Sequence, residues 1–124
     1  MNNKKILIIE DDKFFAELAS KELIKAGAKV VHASNGEEGM KLVESEKPDL
    51  VLLDVLLPGM DGFEVLRKIK LGETTKKTPV LILSNFGSDD QIKTGQELGV
   101  TRYLIKATVT PKEIAEEVGS ILGK

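Results

Sequence analysis

With 124 residues, 41% of them hydrophobic and 31% charged, the chain has the length and composition of one globular domain and not those of a disordered one. Eighteen basic residues against twenty acidic ones give a net charge of −2, so no basic face for nucleic acid is expected. The lack of cysteine and the single His32 exclude disulfide scaffolds, thiol nucleophiles and histidine metal clusters. No apolar run nears twenty residues and the start is not a basic-then-apolar leader, so no membrane span and a cytoplasmic setting are expected.

In chain order, the run Ile6-Leu7-Ile8-Ile9 predicts a strand near 4–10, followed by a helix near 12–26 that opens on acids and ends before Gly27. Val30-Val31 marks a second strand near 28–33. Ser34-Asn35-Gly36-Glu37 then fits a capping box for a helix near 35–46. Leu50-Val51-Leu52-Leu53 predicts a strand at 49–54. Asp61, with Glu64 as a weaker box, opens a helix near 62–71 that Gly72 would close in a left-handed cap. Val80-Leu81-Ile82-Leu83 predicts a strand at 79–84, and Ser88-Asp89-Asp90-Gln91 caps a helix near 89–98 ahead of Gly99. Tyr103-Leu104-Ile105 lies in a last strand at 101–106. Thr110-Pro111-Lys112-Glu113 begins a helix at 111–122, with proline where a missing N–H does no harm and Gly123 beyond.

Four of the five apolar runs are continuous, not alternating, which calls for helices on both faces of a parallel sheet. Right-handed crossovers then make the chain an α/β three-layer sandwich, one domain over 1–124 with no output domain expected. Ligands of such sheets sit beyond the carboxyl ends of the strands. There the sequence places Glu10, Asp11 and Asp12, then Asp54, Ser84 and Lys106. Carboxylates without histidine or thiol suit Mg²⁺ or another hard cation. Joint ionisation of neighbouring acids is costly, and a divalent cation with the Lys106 ammonium would relieve it. A carboxylate left free can attack phosphorus, and Asp54 is the best candidate, lone and central where Glu10 and Asp11 are paired. Asp12 reads mostly as a helix cap.

Taken together, Ile6 to Asp12, Asp54-Val55-Leu56-Leu57-Pro58-Gly59-Met60-Asp61-Gly62, Ser84 and Tyr103-Leu104-Ile105-Lys106 resemble the bacterial response-regulator receiver domain over nearly the whole chain. The resemblance implies a flavodoxin-like (βα)5 fold with strand order 2-1-3-4-5, as in stand-alone chemotaxis regulators. It implies Mg²⁺-dependent acceptance of a phosphoryl group on Asp54 from a histidine kinase or histidine phosphotransfer protein. By position Asp11 resembles the direct Mg²⁺ ligand, Glu10 the acid acting through water, and the Leu56 backbone carbonyl a third protein ligand beside Asp54. Lys106 and Ser84 would contact phosphoryl oxygens, with Asn85 beside them able to crowd access. Tyr103 matches the aromatic that turns inward when Ser84 moves. The face of the fourth helix, fifth strand and fifth helix would then bind an unknown downstream protein, the monomer pairing on activation in some relatives. Such chemistry is self-catalysed and stoichiometric, so the chain is not expected to be an enzyme in the turnover sense.

Departures from the family pattern are Ala107 where a cis proline usually follows the lysine, and Asn85 where a small residue is usual. A trans Lys106–Ala107 bond is expected, since a non-proline cis bond costs about 2.5–4 kcal/mol. Leu56 and Phe86 cannot orient a hydrolytic water, which implies slow self-dephosphorylation. Of Phe14 and Phe15, about 100° apart on a helix, an exposed Phe15 would suit docking of a kinase or phosphotransfer helix bundle, with Ala107 in the kinase-facing loop; the alternative is that both phenylalanines edge the core. His32 is expected to lie far from the site. The rival readings are a phosphate-independent adaptor that keeps the fold, a haloacid-dehalogenase-type phosphatase and a flavin carrier. The phosphatase needs Asp-x-Asp after the first strand, and the carrier needs a Ser/Thr/Gly phosphate cradle there.

Overall fold

The computed structural model describes residues 1–85 and 87–123. Its elements run β1 (Lys5–Ile9), α1 (Lys13–Lys25), β2 (Lys29–Ala33), α2 (Gly36–Glu46), β3 (Leu50–Leu53), α3 (Gly62–Leu71), β4 (Val80–Ser84), α4 (Asp89–Glu97), β5 (Arg102–Ile105), a 3₁₀ turn (Lys106–Thr108) and α5 (Pro111–Leu122). All five strands are parallel, in the order β2-β1-β3-β4-β5.

Each apolar run divides its side chains between the two faces of the sheet, as period-two pleating requires. Ile6, Ile8, Leu50, Leu52, Leu81 and Leu83 pack with Ala16, Ala19 and Leu23 of α1 and Ile114, Ala115 and Val118 of α5. Leu7, Ile9, Val51, Leu53, Val80 and Ile82 pack on the other side with Val43 of α2 and Val65, Leu66 and Ile69 of α3. A strand covered twice has no polar alternate, which is why these runs are continuous.

The caps follow the predicted chemistry with three changes. The expected box at Ser88–Gln91 is present, and a second closes at Thr110–Glu113. In α2 the cap slides by one residue and no closed box forms: Asn35 accepts from the Glu38 N–H at 2.8 Å, and the N–H of Ser34, before the cap, donates to Glu38 Oε1 at 2.8 Å. Asparagine satisfies the orphan donor as well as serine does, so tertiary placement selects between them. Asp61 accepts from the Phe63 N–H at 2.7 Å without help from Glu64. Gly72 does not take the left-handed conformation; its φ is −76°. The chain turns there because Thr75 Oγ1 donates to the Ile69 carbonyl at 2.7 Å, tying the loop under α3.

One glycine is required by a close approach. Gly62 begins α3 with its N–H donating to the Val55 carbonyl at 3.0 Å. A Cβ at that position would fall on the Val55 Cα and the Asp54 carbonyl oxygen, backbone atoms that have no room to yield. Gly62→Ala is therefore expected to cost about 1–3 kcal/mol and to shift the peptide carrying Asp54. Urea denaturation reads this, and a loss of less than about 0.5 kcal/mol, the range of an ordinary surface change, would contradict the packing argument.

Candidate functional site

The carboxyl ends of β1, β3, β4 and β5 gather the predicted residues along one edge of the sheet. Beyond β1, Glu10 continues the ladder by donating its N–H to the Ala33 carbonyl at 2.9 Å. Its Oε2 accepts from the Asp12 N–H at 3.0 Å, and its Oε1 meets Lys106 Nζ at 2.6 Å. Asp12 caps α1 as expected, accepting from the Phe15 N–H at 3.1 Å. Beyond β3, Asp54 donates its N–H to the Ile9 carbonyl at 3.0 Å. Its Oδ1 accepts from the Leu56 N–H at 2.9 Å and its Oδ2 from Lys106 Nζ at 2.9 Å.

Glu10 and Asp54 are 3% and 6% exposed, whereas Asp11 faces solvent. Ligand atoms of all three lie within 4.8 Å of one another, so Glu10, Asp11 and Asp54 form one oxygen cluster with Lys106 set against it. The lysine ring of contacts closes on Phe15, whose centroid is 4.5 Å from Lys106 Nζ. Such a cation–π contact is worth about 0.5–2 kcal/mol, depending on desolvation.

Burial dominates the ionisation of Glu10 and raises it to about 7, against the opposing pull of Lys106 and the Asp12 N–H, with Asp54 pushing the same way as burial. Burial alone would lower Lys106, but its hydrogen bonds to Glu10 and Asp54 together outweigh that and raise it. The two directions are compatible because one ammonium serves two carboxylates, and on Glu10 burial outweighs its pull. Between the ordinary value of 4.5 and about 7, the folded protein holds a proton on Glu10 that the unfolded chain has released. The stability contributed by this group is therefore complete below about 4.5 and is lost as the pH rises through about 7. In chelator, the urea midpoint of the native protein relative to Glu10→Gln should fall across that window. A difference that stays level with pH would contradict it.

Ser84, fully buried, ends β4 opposite Ile105. Asn85 Oδ1 accepts from the Ala107 N–H at 3.0 Å. No described peptide bond is cis, so Lys106–Ala107 is trans as expected. Tyr103 pairs with Ile82 and lies half-buried against α4 at Gly95, where a Cβ would come within 3.1 Å of the ring. Burial and then Asp54 raise its hydroxyl ionisation. Phe86 lies outside the described residues.

Two expectations are corrected. Phe15 is not the exposed aromatic: it packs against the α1–α5 side of the core beneath Lys106, and Phe14 is 71% exposed instead. Adjacent helix positions diverge by about 100°, and the buried stripe through Ala16 and Ala19 takes Phe15 with it. His32 is not remote either. The β1–β2 register pairs it with Ile8, and its Nε2 lies 2.7 Å from the Glu10 carbonyl. A carbonyl only accepts, so Nε2 carries the proton and His32 steadies the first acidic loop. The only signal available from the chain was its place near the end of a strand.

The family model for the response regulator receiver domain matches residues 6–118. The chain belongs to the response-regulator receiver family. It is 38% identical over 120 residues to the alkaline phosphatase synthesis transcriptional regulatory protein PhoP of Bacillus subtilis, covering 97% of this chain and 49% of that protein. It is 37% identical to sporulation initiation phosphotransferase F of the same organism, covering 86% of this chain and 84% of that one. The structure of the phosphorylated cyanobacterial phytochrome response regulator RcpA superposes with a TM-score of 0.89 at 31% identity, over 98% of this chain and 95% of that one. The chain spans about half the length of several curated relatives that it matches.

Membership places this receiver domain in two-component phosphorelay signalling. Domains of the family receive phosphoryl groups from histidine kinases or phosphotransfer proteins and generally bind Mg²⁺ at an acidic pocket. Among the described residues, no helix is long and apolar enough to cross a membrane.

Proposed function

We propose that this receiver domain accepts a phosphoryl group on a carboxylate oxygen of Asp54 from a phosphohistidine of a kinase or phosphotransfer protein. The observation that carries the reading is the bridge of Lys106 Nζ to both Glu10 and Asp54, with Asp11 completing the oxygen cluster. The donor set fits Mg²⁺: hard carboxylate oxygens, two buried and one exposed, contributed by Glu10, Asp11 and Asp54, with the Leu56 carbonyl as the further candidate. When bound there, the cation supplies positive charge to the phosphoryl oxygens and to the acids.

In the transfer, an Asp54 oxygen forms a bond to phosphorus as the P–N bond of the donor breaks. The imidazole leaves as the neutral ring when its other nitrogen already carries a proton. Lys106 holds Asp54 in place beforehand and offers its ammonium to a phosphoryl oxygen afterwards. Ser84 follows onto a second oxygen, Asn85 offers its amide nitrogen beside it, and Tyr103 turns inward into the space that Ser84 vacates. That movement reshapes the α4–β5–α5 face for a downstream partner, a population shift driven by the phosphoryl group's preference for one packing. The exposed aromatic offered to a kinase helix bundle is Phe14, with Ala107 also exposed, while Phe15 braces the lysine. One protein takes one phosphoryl group, so the chemistry is stoichiometric and not turnover.

Incubation with an acyl phosphate and Mg²⁺ tests the reading by intact mass. A gain of one phosphoryl group that chelator prevents is the expected result. No gain at any Mg²⁺ concentration would favour the phosphate-independent adaptor.

A further inference from the structure

The loops that carry Ser84 and Lys106 leave neighbouring strands side by side. The β4–β5 ladder ends at Ser84 opposite Ile105, so the next rung falls between Asn85 and the Lys106–Ala107 peptide. A side chain makes that rung: Asn85 Oδ1 accepts from the Ala107 N–H at 3.0 Å. The first N–H groups of a helical turn have no partner within the turn, and Ala107 sits in the short 3₁₀ turn Lys106–Thr108. The turn is otherwise held by the Thr108 hydroxyl donating to the Ile105 carbonyl at 2.9 Å, and by the Val109 N–H donating to the Lys106 carbonyl at 3.4 Å. Neither of these crosses to the β4–α4 loop, whereas the Asn85 bond does.

The donor also decides which way the amide points. An N–H requires an oxygen opposite it, so Oδ1 faces Ala107 and the Nδ2 group is turned away. Alanine at 107 supplies the N–H that makes this possible, since proline has none. We propose that Asn85 and Ala107 form a clip that couples the β4–α4 loop to the β5–α5 loop, making Asn85 a positioning residue for Lys106. It fixes the peptide immediately after Lys106, on which the reach of Nζ to Glu10 and Asp54 depends, and it ties that peptide to the residue immediately after Ser84. The hydroxyl and the ammonium are thereby held as one unit. This inference rests on the phosphoryl-acceptor reading for its consequence, but not for the existence of the clip.

The test uses the full chain and two readouts. By amide hydrogen exchange, the Ala107 N–H should be protected in the native protein, exchange about tenfold faster in Asn85→Ala, and be protected again in Asn85→Asp, which keeps the acceptor oxygen. Unchanged exchange in Asn85→Ala would overturn the clip, whatever the protein does with phosphate. In the second readout, initial rates of phosphorylation by an acyl phosphate with saturating Mg²⁺ are compared for Asn85→Ala, Ala107→Pro and the double variant. Loss of the clip's neutral hydrogen bond should slow Ala107→Pro about fivefold and Asn85→Ala by at least as much, since the latter also loses its amide nitrogen beside the phosphoryl group, with the double no slower than the worse single. Any effect of side-chain bulk at position 85 cancels in that comparison, so simple multiplication of the two losses would overturn the coupling. If Ala107→Pro does not fold, the exchange result decides. A native protein that takes no phosphate, yet shows the exchange pattern, would retire the acceptor reading and leave the clip standing.

Discussion

Asp54→Ala should take up no phosphoryl group from an acyl phosphate, with the intact mass unchanged under conditions that fully modify the native protein. The substitution removes the oxygen nucleophile, and no neighbour can replace it. Glu10 already shares its oxygens between Lys106 and the Asp12 N–H, and its burial holds a fraction of it protonated near neutrality, which makes it a poorer nucleophile. Asp11 is the remaining carboxylate, exposed to solvent, and it lacks the ammonium contact that steadies Asp54. Folding should survive, because Lys106 keeps Glu10 as its partner and no buried charge is stranded. A modified Asp54→Ala protein would show that another residue accepts the phosphate.

Lys106→Met should act in opposite directions on two measurements. Phosphorylation should slow by about 100-fold or more, the usual loss when a preorganised charge donor to a transferring group is deleted. Mg²⁺ should bind more tightly, since the ammonium now occupying Glu10 Oε1 and Asp54 Oδ2 no longer competes for those oxygens. Calorimetric titration with Mg²⁺ and the rate of mass gain report the two effects separately. Weaker Mg²⁺ binding in this variant would mean that Lys106 organises the acids instead of competing with a cation for them. An unchanged rate would remove Lys106 from the transfer.

These outcomes depend on residues that the sequence locates with unequal clarity. Glu10, Asp11, Asp54 and Lys106 were legible because each follows a strand recognisable from its apolar run, and parallel strands deliver their ends to one edge of the sheet. Phe14 and Phe15 were not separable in the chain. Both are large and apolar, and only the angular position of α1 over the sheet decides which is buried. His32 was misplaced for a related reason. The parallel register that sets it beside Ile8, within reach of the Glu10 carbonyl, is a relation between segments twenty-four residues apart. The α2 cap slid from Ser34 to Asn35 because two adjacent residues offer nearly equal capping chemistry, and the backbone angle of entry chooses between them.

What the amino-acid sequence by itself determined is local and periodic: where strands and helices lie, that the sheet is covered on both sides, and which polar residues end each strand. Those features follow from short-range rules of hydrophobic spacing and capping, which act within a few residues. What the tertiary structure alone decided is pairwise and long-range. It set the lysine between two carboxylates, the Phe15 ring under the ammonium, the imidazole on the acidic loop and the amide clip across two turns. Each of those contacts is set by the separation and facing of segments far apart along the chain, and no local pattern encodes a distance of about three ångströms between them.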